Sequence, residues 1–363
     1  MKTFKKLSIA TLVLLLSMSV ATGCSKKKDE PKSTPSKTEA ATQEPTAEPT
    51  ATPETRDGQV RSKITNMWIS EKAANNRPYA VMINNIKAAT PQQCGTSNAN
   101  VLYECLAEGG ITRLMGIFED FDAKKIGSVR SARHYYVSLA TEWDAIYCHF
   151  GQTKYAVKKI EELKVDTLSG LSAIGSTVYY RDNNYKAPHN AFTSYEGIMK
   201  GTKKLGYRTT YRDNFENHYK FYNDDTDLTS DKTANKVNLG FSQYAKPYFT
   251  YNADKKMYER FQYGAKHVDA NTGKQLEFKN IIVQYVKQRD IDKNHYQTID
   301  WKNGFGKGLY ITNGKAVNIT WKRTDADMKM HYYAEDGSEL TVNTGKTYIA
   351  IFPRDRKSDV IIK

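Results

Sequence analysis

The sequence predicts an α/β N-terminal domain, a mixed sheet flanked by helices, followed by a mostly antiparallel β C-terminal domain. Three observations carry this. Between about residues 77 and 212, short apolar runs alternate with segments of helical spacing. From about residue 245 onward, strand-like runs follow one another with turn pairs between them. The chain has 363 residues, enough beyond a low-complexity start for two domains with proper cores. The expected boundaries are 1–23 for an export signal, 24–60 for a tether, 61–212 for the α/β domain, and 213–363 for a linker and the β domain.

The elements follow in order. RPYAVMINNI (Arg77–Ile86) is a short apolar run that reads as a buried strand. In SNANVLYECLAEGG, Val101, Leu102, Cys105 and Leu106 form a helical stripe, with Ser97 as cap and Gly109–Gly110 as stop. A helix is expected there. ITRLMGIFEDF reads as a strand, and SVRSARHYYVSLATEW as a helix capped by Ser128 or Ser131. DAIYCHFG is a strand and TKYAVKKIEELK a helix capped by Thr153. STVYYRD is a strand, and TSYEGIMKGTKKLG a helix, capped by Asn190, Thr193 or Ser194, that Gly206 ends. Residues 213–238 are polar and without clear period. PYFTYN, KNIIVQYVKQ, GLYITNG, KAVNITWKR, MHYYAEDG and KTYIAIFP then read as strands, with Asn313-Gly314 and Asp336-Gly337 as hairpin turns. NGFGKGLYITNGK has spaced glycines but no strand–helix context, so it reads as turn chemistry and not as a nucleotide loop.

The start of the chain indicates an address. Lys2, Lys5 and Lys6 precede an apolar run from Leu7 to Val20, closed by Ala21, Thr22 and Gly23. This is the layout of an export signal. Cys24 follows directly, and ATGC resembles the lipobox of bacterial lipoproteins, with Ala21 where that motif usually has Leu. The resemblance implies a lipidated Cys24 inserted in the bilayer, a stable anchor when several acyl chains are attached. The stretch after it has no aromatic residue and holds five of the ten prolines. Such a segment cannot offset its chain entropy by burial, which is the composition of a tether.

The formal charge is +14. Removing the three lysines of the first 23 residues, and the six basic and seven acidic residues of 24–60, leaves +12 on the rest. Outside the cell a basic surface meets anionic lipids or anionic wall polymers. The export signal argues against nucleic acid. After Cys24 three cysteines remain, Cys94, Cys105 and Cys148. Their odd number and apolar neighbours favour free buried thiols, although a Cys94–Cys105 bridge is conceivable. No Cys-x-x-Cys and no His-Glu-x-x-His occurs, so neither a metal nor a cofactor is expected.

RPYAVMINN, YECLAEGGITRLMGIF, KIGSVRSARHYY, DAIYCHFG and APHNAFTS, with the tail GSELTVNTGKTYIAIFP, resemble the DUF3048 family of lipoproteins from Gram-positive bacteria. The resemblance covers nearly all of the expected folded part. It implies an exported, usually lipid-anchored protein with an α/β N-terminal domain and a smaller C-terminal one, at the extracellular face of the cytoplasmic membrane. It implies no established reaction. Cys148 departs from the apolar residue expected at its position, which speaks against a thiol role.

The polar residues that stand out fall in three groups. In KIGSVRSARHYY, a helix capped by Ser128 makes Arg130 its second residue and Arg133 its fifth, on one face beside Ser131. Cations are disfavoured near a helix start, while main-chain N–H groups there bind anions. An external anion would resolve that conflict, and so would internal carboxylates: Glu104, Glu108 or Asp144. Glu104 and Glu108, four apart on the expected helix, need a cation nearby, Arg113 or Arg130. His149 ends a strand, the place where open α/β sheets hold ligands. Tyr147 shares its face and Cys148 takes the other. In YRDNNYKAPHNAFTS, Arg181, His189 and Asn190 occupy a polar loop, and Arg181 and His189 are expected to converge with Arg130 and Arg133 on one rim.

The function these residues favour is binding of an anionic envelope component: a wall polymer, a muropeptide or an envelope protein. The alternative is an envelope hydrolase or transferase on a phosphoryl or glycosyl substrate, with His149 or His189 as acid–base and the arginines as oxyanion clamps. A third reading makes the β domain a docking surface for wall synthases. No Gly-x-Ser-x-Gly and no nucleophile–base pair is visible, so whether the protein is an enzyme stays open at this level.

Overall fold

A ten-stranded mixed sheet runs through the protein. The computed structural model describes residues 55–302, 304–324 and 328–363. The expected signal, the lipidated Cys24 and nearly all of the tether therefore lie outside the described residues. In chain order the strands of this sheet are β1 (Tyr79–Asn85), β2 (Val101–Leu106), β3 (Thr112–Phe118), β4 (Ile146–His149), β5 (Thr167–Ser169), β6 (Asn280–Val286), β7 (Phe305–Thr312), β8 (Lys315–Arg323), β9 (Met330–Tyr333) and β10 (Thr347–Pro353). Across the sheet they lie β9-β8-β7-β6-β10-β2-β3-β1-β4-β5. β10 pairs in parallel with β6 on one side and with β2 on the other, which joins strands from both halves of the chain.

β1, β3, β6 and β10 are buried along their whole length. That is why they read as continuous apolar runs without alternation. One face of the sheet carries helices α1 (His134–Glu142) and α2 (Lys154–Leu163). Tyr135, Leu139 and Trp143 share a core there with Tyr103, Tyr310 and Ile349. The other face carries α3 (Tyr195–Lys204) and a second, antiparallel sheet. Val237, Phe249 and Tyr258 of that second sheet share a core with Ile281, Val283 and Tyr348. The N-terminal half is thus a mixed sheet with helices, and the C-terminal half mostly antiparallel strands.

Thr153 caps α2, its hydroxyl accepting from the Ala156 N–H at 3.2 Å, and Lys164 ends it in the left-handed region. Ser194 caps α3 on Gly197 at 3.1 Å. Thr153→Ala should cost about 1 kcal/mol of unfolding free energy, read as a lowered urea midpoint. The hairpin pair Asn313-Gly314 joins β7 to β8, with Thr312 facing Lys315. Cys94, Cys105 and Cys148 are buried free thiols, and burial pushes the Cys94 thiol up to about 12.

Several expectations need correction. The helix expected over SNANVLYECLAEGG is strand β2, so Glu104 and Glu108 do not share a helix face. Glu104 lies in the strand and Glu108 in a short turn after it. The helix expected from Ser128 or Ser131 starts only at His134, with Arg133 at its N-cap and no side-chain cap. Residues 128–132 are instead drawn into extended pairing by tertiary partners. The strand expected over STVYYRD begins as a helical turn, Gly175–Val178, before strand Tyr179–Arg181.

Candidate functional site

The segment before α1 crosses the C-terminal ends of β1 and β4. Its main chain fixes it there: Val129 N–H donates to Ala191 O at 2.7 Å, Arg130 N–H to Met82 O at 3.0 Å, and Ala132 N–H to Gly151 O at 2.9 Å. Phe150 N–H returns a bond to Arg130 O at 3.0 Å. Gly151 has φ +91°, and a Cβ there would stand 2.7 Å from Ser131 Oγ. The close approach of the two segments therefore requires glycine. Arg130 is not at a helix N-terminus, so the conflict with a helix dipole does not arise. Its situation is set by other charges.

Arg133 grips Glu108 with both arms of its fork, Nε to Oε1 at 2.7 Å and Nη2 to Oε2 at 2.6 Å. Burial pushes the Glu108 carboxyl up, and Arg133, with Arg113 behind it, more than reverses this and holds it below its usual value. Arg113 in β3 is buried and donates to Ser131 O at 2.5 Å. Burial first, and the Arg133 charge second, lower it to about 10, so it stays charged at neutral pH. Arg130 is half-buried, and its Nη1 donates to Pro188 O at 2.9 Å. Burial and repulsion from Arg133 both lower its pKa. Three guanidinium groups thus crowd together, while the Glu108 carboxylate serves Arg133 directly and Arg113 at longer range.

The loop 182–190 closes over Arg130. It springs from the hairpin of strands Tyr179–Arg181 and Ala191–Thr193. Asp182 pins it to Lys125 at 2.6 Å. His189 presents Nδ1 to the Asn84 amide at 2.9 Å, and Gln92 holds its carbonyl at 2.8 Å. Burial and the Arg130 charge lower the His189 pKa, which favours the neutral ring at neutral pH. Nδ1 then accepts from Asn84, and Nε2 carries the proton. Arg181 donates to Asn190 Oδ1 at 2.7 Å and lies over the Phe150 ring at 4.8 Å. Arg130 and His189 meet at this loop, Arg181 and Asn190 pair with each other at its base, and Ser131 and Arg133 follow Arg130 in the same segment.

The remaining candidates lie in internal networks. His149 is buried, its Nδ1 donating to Gly151 O and its Nε2 accepting from Thr167 Oγ1, both at 2.8 Å. Burial lowers it to about 4. It therefore holds the Gly151 turn and offers no free nitrogen. Tyr147 and Cys148 do face opposite cores. Asp144 is bound by both arms of Arg208 at 2.8 Å and lies 3.6 Å from Arg77, and it serves neither Arg130 nor Arg133. Glu104 is fully buried against Arg260 at 2.6 Å. Arg260 escaped sequence reasoning, although one signal was present. In MYERFQ, buried positions alternate through Tyr258, Arg260 and Gln262, so a charge sits in the inward phase of a strand. Asn84, which orients His189, gave no signal beyond ending an apolar run. Among the described residues, no cluster of three or more His, Cys, Asp or Glu side chains is placed to hold a metal ion, and no helix is long and apolar enough to cross a membrane.

The fold and the rim together define a mixed-sheet protein with a basic loop cluster at the strand ends. Residues 64–208 match the N-terminal domain, and 235–349 the C-terminal domain, of a family described as protein of unknown function DUF3048. The chain belongs to the DUF3048 family. It is 33% identical over 297 residues to YerB of Bacillus subtilis (strain 168), which bears a lipoprotein name, covering 81% of this chain and 87% of that one. It is also similar to the crystal structure of the YerB protein from Bacillus subtilis, with a TM-score of 0.72 and 30% identity over 82% of this chain and 98% of that one.

Proposed function

We propose that this chain is a lipoprotein held through Cys24 at the extracellular face of the cytoplasmic membrane, and that its Arg130–His189–Arg181 rim binds an anionic envelope component. A wall polymer, a muropeptide or an acidic segment of an envelope protein has the required charge. The observation that supports this reading is that Glu108 is gripped by Arg133, with Arg113 behind it, while Arg130 feels the repulsion of Arg133 and meets no carboxylate among the described residues. Arg130, whose side chain among the described residues donates only to a main-chain carbonyl, is the member whose preference for an anion is not met there. The Nε2–H of His189 adds a neutral donor next to it.

Arg130→Ala in the full chain should weaken retention on anionic wall fragments at least about tenfold, since a hydrogen bond to a charged group contributes ~1.5–3 kcal/mol. Retention is measured by pull-down and mass spectrometry. The urea midpoint should hardly move, because only one internal hydrogen bond is lost. Arg130→Lys should recover part of the binding, as it keeps the charge and loses the fork. Rising salt should release the bound material. Retention indifferent to both salt and Arg130 overturns the reading.

A further inference from the structure

Elsewhere in the same sheet, at the start of β7, the chain leaves a large apolar side chain uncovered. Phe305 is 83% exposed, more than any other large apolar side chain among the described residues. Its strand pairs with β8 from Phe305 onward, but with β6 only from Gly308. Phe305, Gly306 and Lys307 therefore project beyond the β6 pairing. Spaced glycines make this possible. A Cβ on Gly306 would stand 2.6 Å from the Trp321 Nε1 and 2.9 Å from Tyr285 O, so only glycine lets the strand lie on that indole. The Trp321 indole is itself held by Tyr285 O at 3.0 Å. With Gly306 facing inward, alternation turns Phe305 and Lys307 outward.

Cations surround the projecting ring. A cavity of about 490 Å³ beside it has Tyr285 and Trp321 in its wall, with Lys287, Lys307, Arg354 and Lys357 among the other lining residues. Lys357 lies 5.5 Å above the Tyr285 ring, and Lys322 stands opposite Phe305 in the strand pair. None of these five cations is in an ion pair among the described residues. The acid in the lining, Asp300, accepts from the Lys302 main-chain N–H at 3.1 Å. An apolar side chain that stands out, ringed by basic residues, fits an anionic bilayer surface. A polymer-binding face would instead offer its aromatic rings as an exposed platform, and here Tyr285 and Trp321 are buried.

We propose that this tip docks on the membrane: Phe305 enters the boundary between headgroups and acyl chains of an anionic bilayer, and Lys287, Lys307, Arg354 and Lys357 meet the lipid phosphates. The docking rests on the Cys24 anchor of the proposed function, which keeps such a surface at high local concentration, so weak docking suffices. The proposal shares no residue with the Arg130 rim.

The test places the full, lipid-anchored F305W chain in vesicles whose acyl chains carry bromine as quencher. One set contains phosphatidylglycerol with phosphatidylcholine, the other phosphatidylcholine alone. The F305S chain supplies the background of the native tryptophans. On anionic vesicles the emission added at position 305 should shift to the blue and be quenched, and on neutral ones it should not. In the F305W chain, Lys307→Gln and Lys357→Gln should each lower the docked-to-free ratio about fivefold. Arg130→Ala should leave docking unchanged, and F305S should leave retention on wall fragments unchanged, so the two readings fail separately. Absence of quenching on anionic vesicles, or equal quenching on both kinds, overturns the proposal. So does a shift of F305W emission by soluble polyphosphate without quenching on vesicles, which would assign the tip to a polymeric anion.

Discussion

Glu104→Gln is expected to lower the unfolding free energy by about 3–5 kcal/mol, the cost of leaving one member of a buried ion pair without the other. Glu104 and Arg260 are both fully buried and meet at 2.6 Å. The carboxylate also accepts from Tyr348 at 2.7 Å, Thr112 at 2.6 Å and Asn85 at 3.0 Å. Arg260 donates to Gln262 at 2.9 Å and to the His267 ring, which in turn donates to Gln93. Every oxygen of the acid is committed, so the glutamine amide would face donors it cannot satisfy, beside an uncompensated guanidinium. The pair spans β2 of the central sheet and strand Met257–Gln262 of the second one. Its loss should therefore loosen the contact between the sheets. Urea unfolding measures the cost. Replacing both partners by apolar residues of similar volume should recover much of it. A loss below about 1 kcal/mol for Glu104→Gln would mean that the guanidinium is compensated elsewhere.

Raising the pH from about 4 to 8 should cost the native chain about 3 kcal/mol of stability relative to Glu119→Gln. Glu119 is buried just past β3. Burial pushes its carboxyl up to about 7, and the hydrogen bond from Ser62 opposes this only in part. An ordinary carboxyl titrates near 4.5. Between these values the folded chain keeps a proton that the unfolded chain has released. Stability is therefore full below about 4.5 and falls as pH climbs through 7. Ser62 donates to Glu119 while accepting from the N–H groups of Ile64 and Thr65, both at 3.0 Å. The ionisation thus bears on the turn that ties residues 62–65 to the sheet. Glutamine cannot ionise, so urea midpoints of the two chains at pH 4 and pH 8 should diverge by this amount. Parallel pH profiles would place Glu119 in contact with water.

Much of the fold could be read from the residues, and the misreadings have physical reasons. The runs that became β1, β3, β4, β6 and β10 were legible because strands buried on both faces are plain apolar blocks. β2 was misread for the same cause. Val101, Leu102, Cys105 and Leu106 happen to fit a helical stripe, and a doubly buried strand offers no alternation to contradict it. Residues 128–132 carry serines that suit a helix cap, but their N–H groups find partners at residues 82, 151 and 191. Local propensity cannot report contacts so distant in sequence. In the site, Arg181 and His189 were expected beside Arg130 and Arg133 because all precede helices; Arg130 does approach the His189 loop, while Arg133 turns away to Glu108. The Arg133–Glu108 pair stood among the alternatives. His149 was read as a ligand candidate from its place at a strand end, and only the position of Thr167 and the Gly151 carbonyl reveals that both nitrogens are occupied.

The place of β10 in mid-sheet bears on how the molecule can be made. Residues 347–353 lie between strands drawn from residues 101–106 and 280–286. A polypeptide delivered N-terminus first therefore cannot zip its central layer until residue 353 has arrived, and β2 waits with one margin bare in the meantime. Late completion of this kind suits passage through a narrow conduit as an unfolded thread. It also leaves the waiting chain dependent on protection from neighbours of its own kind.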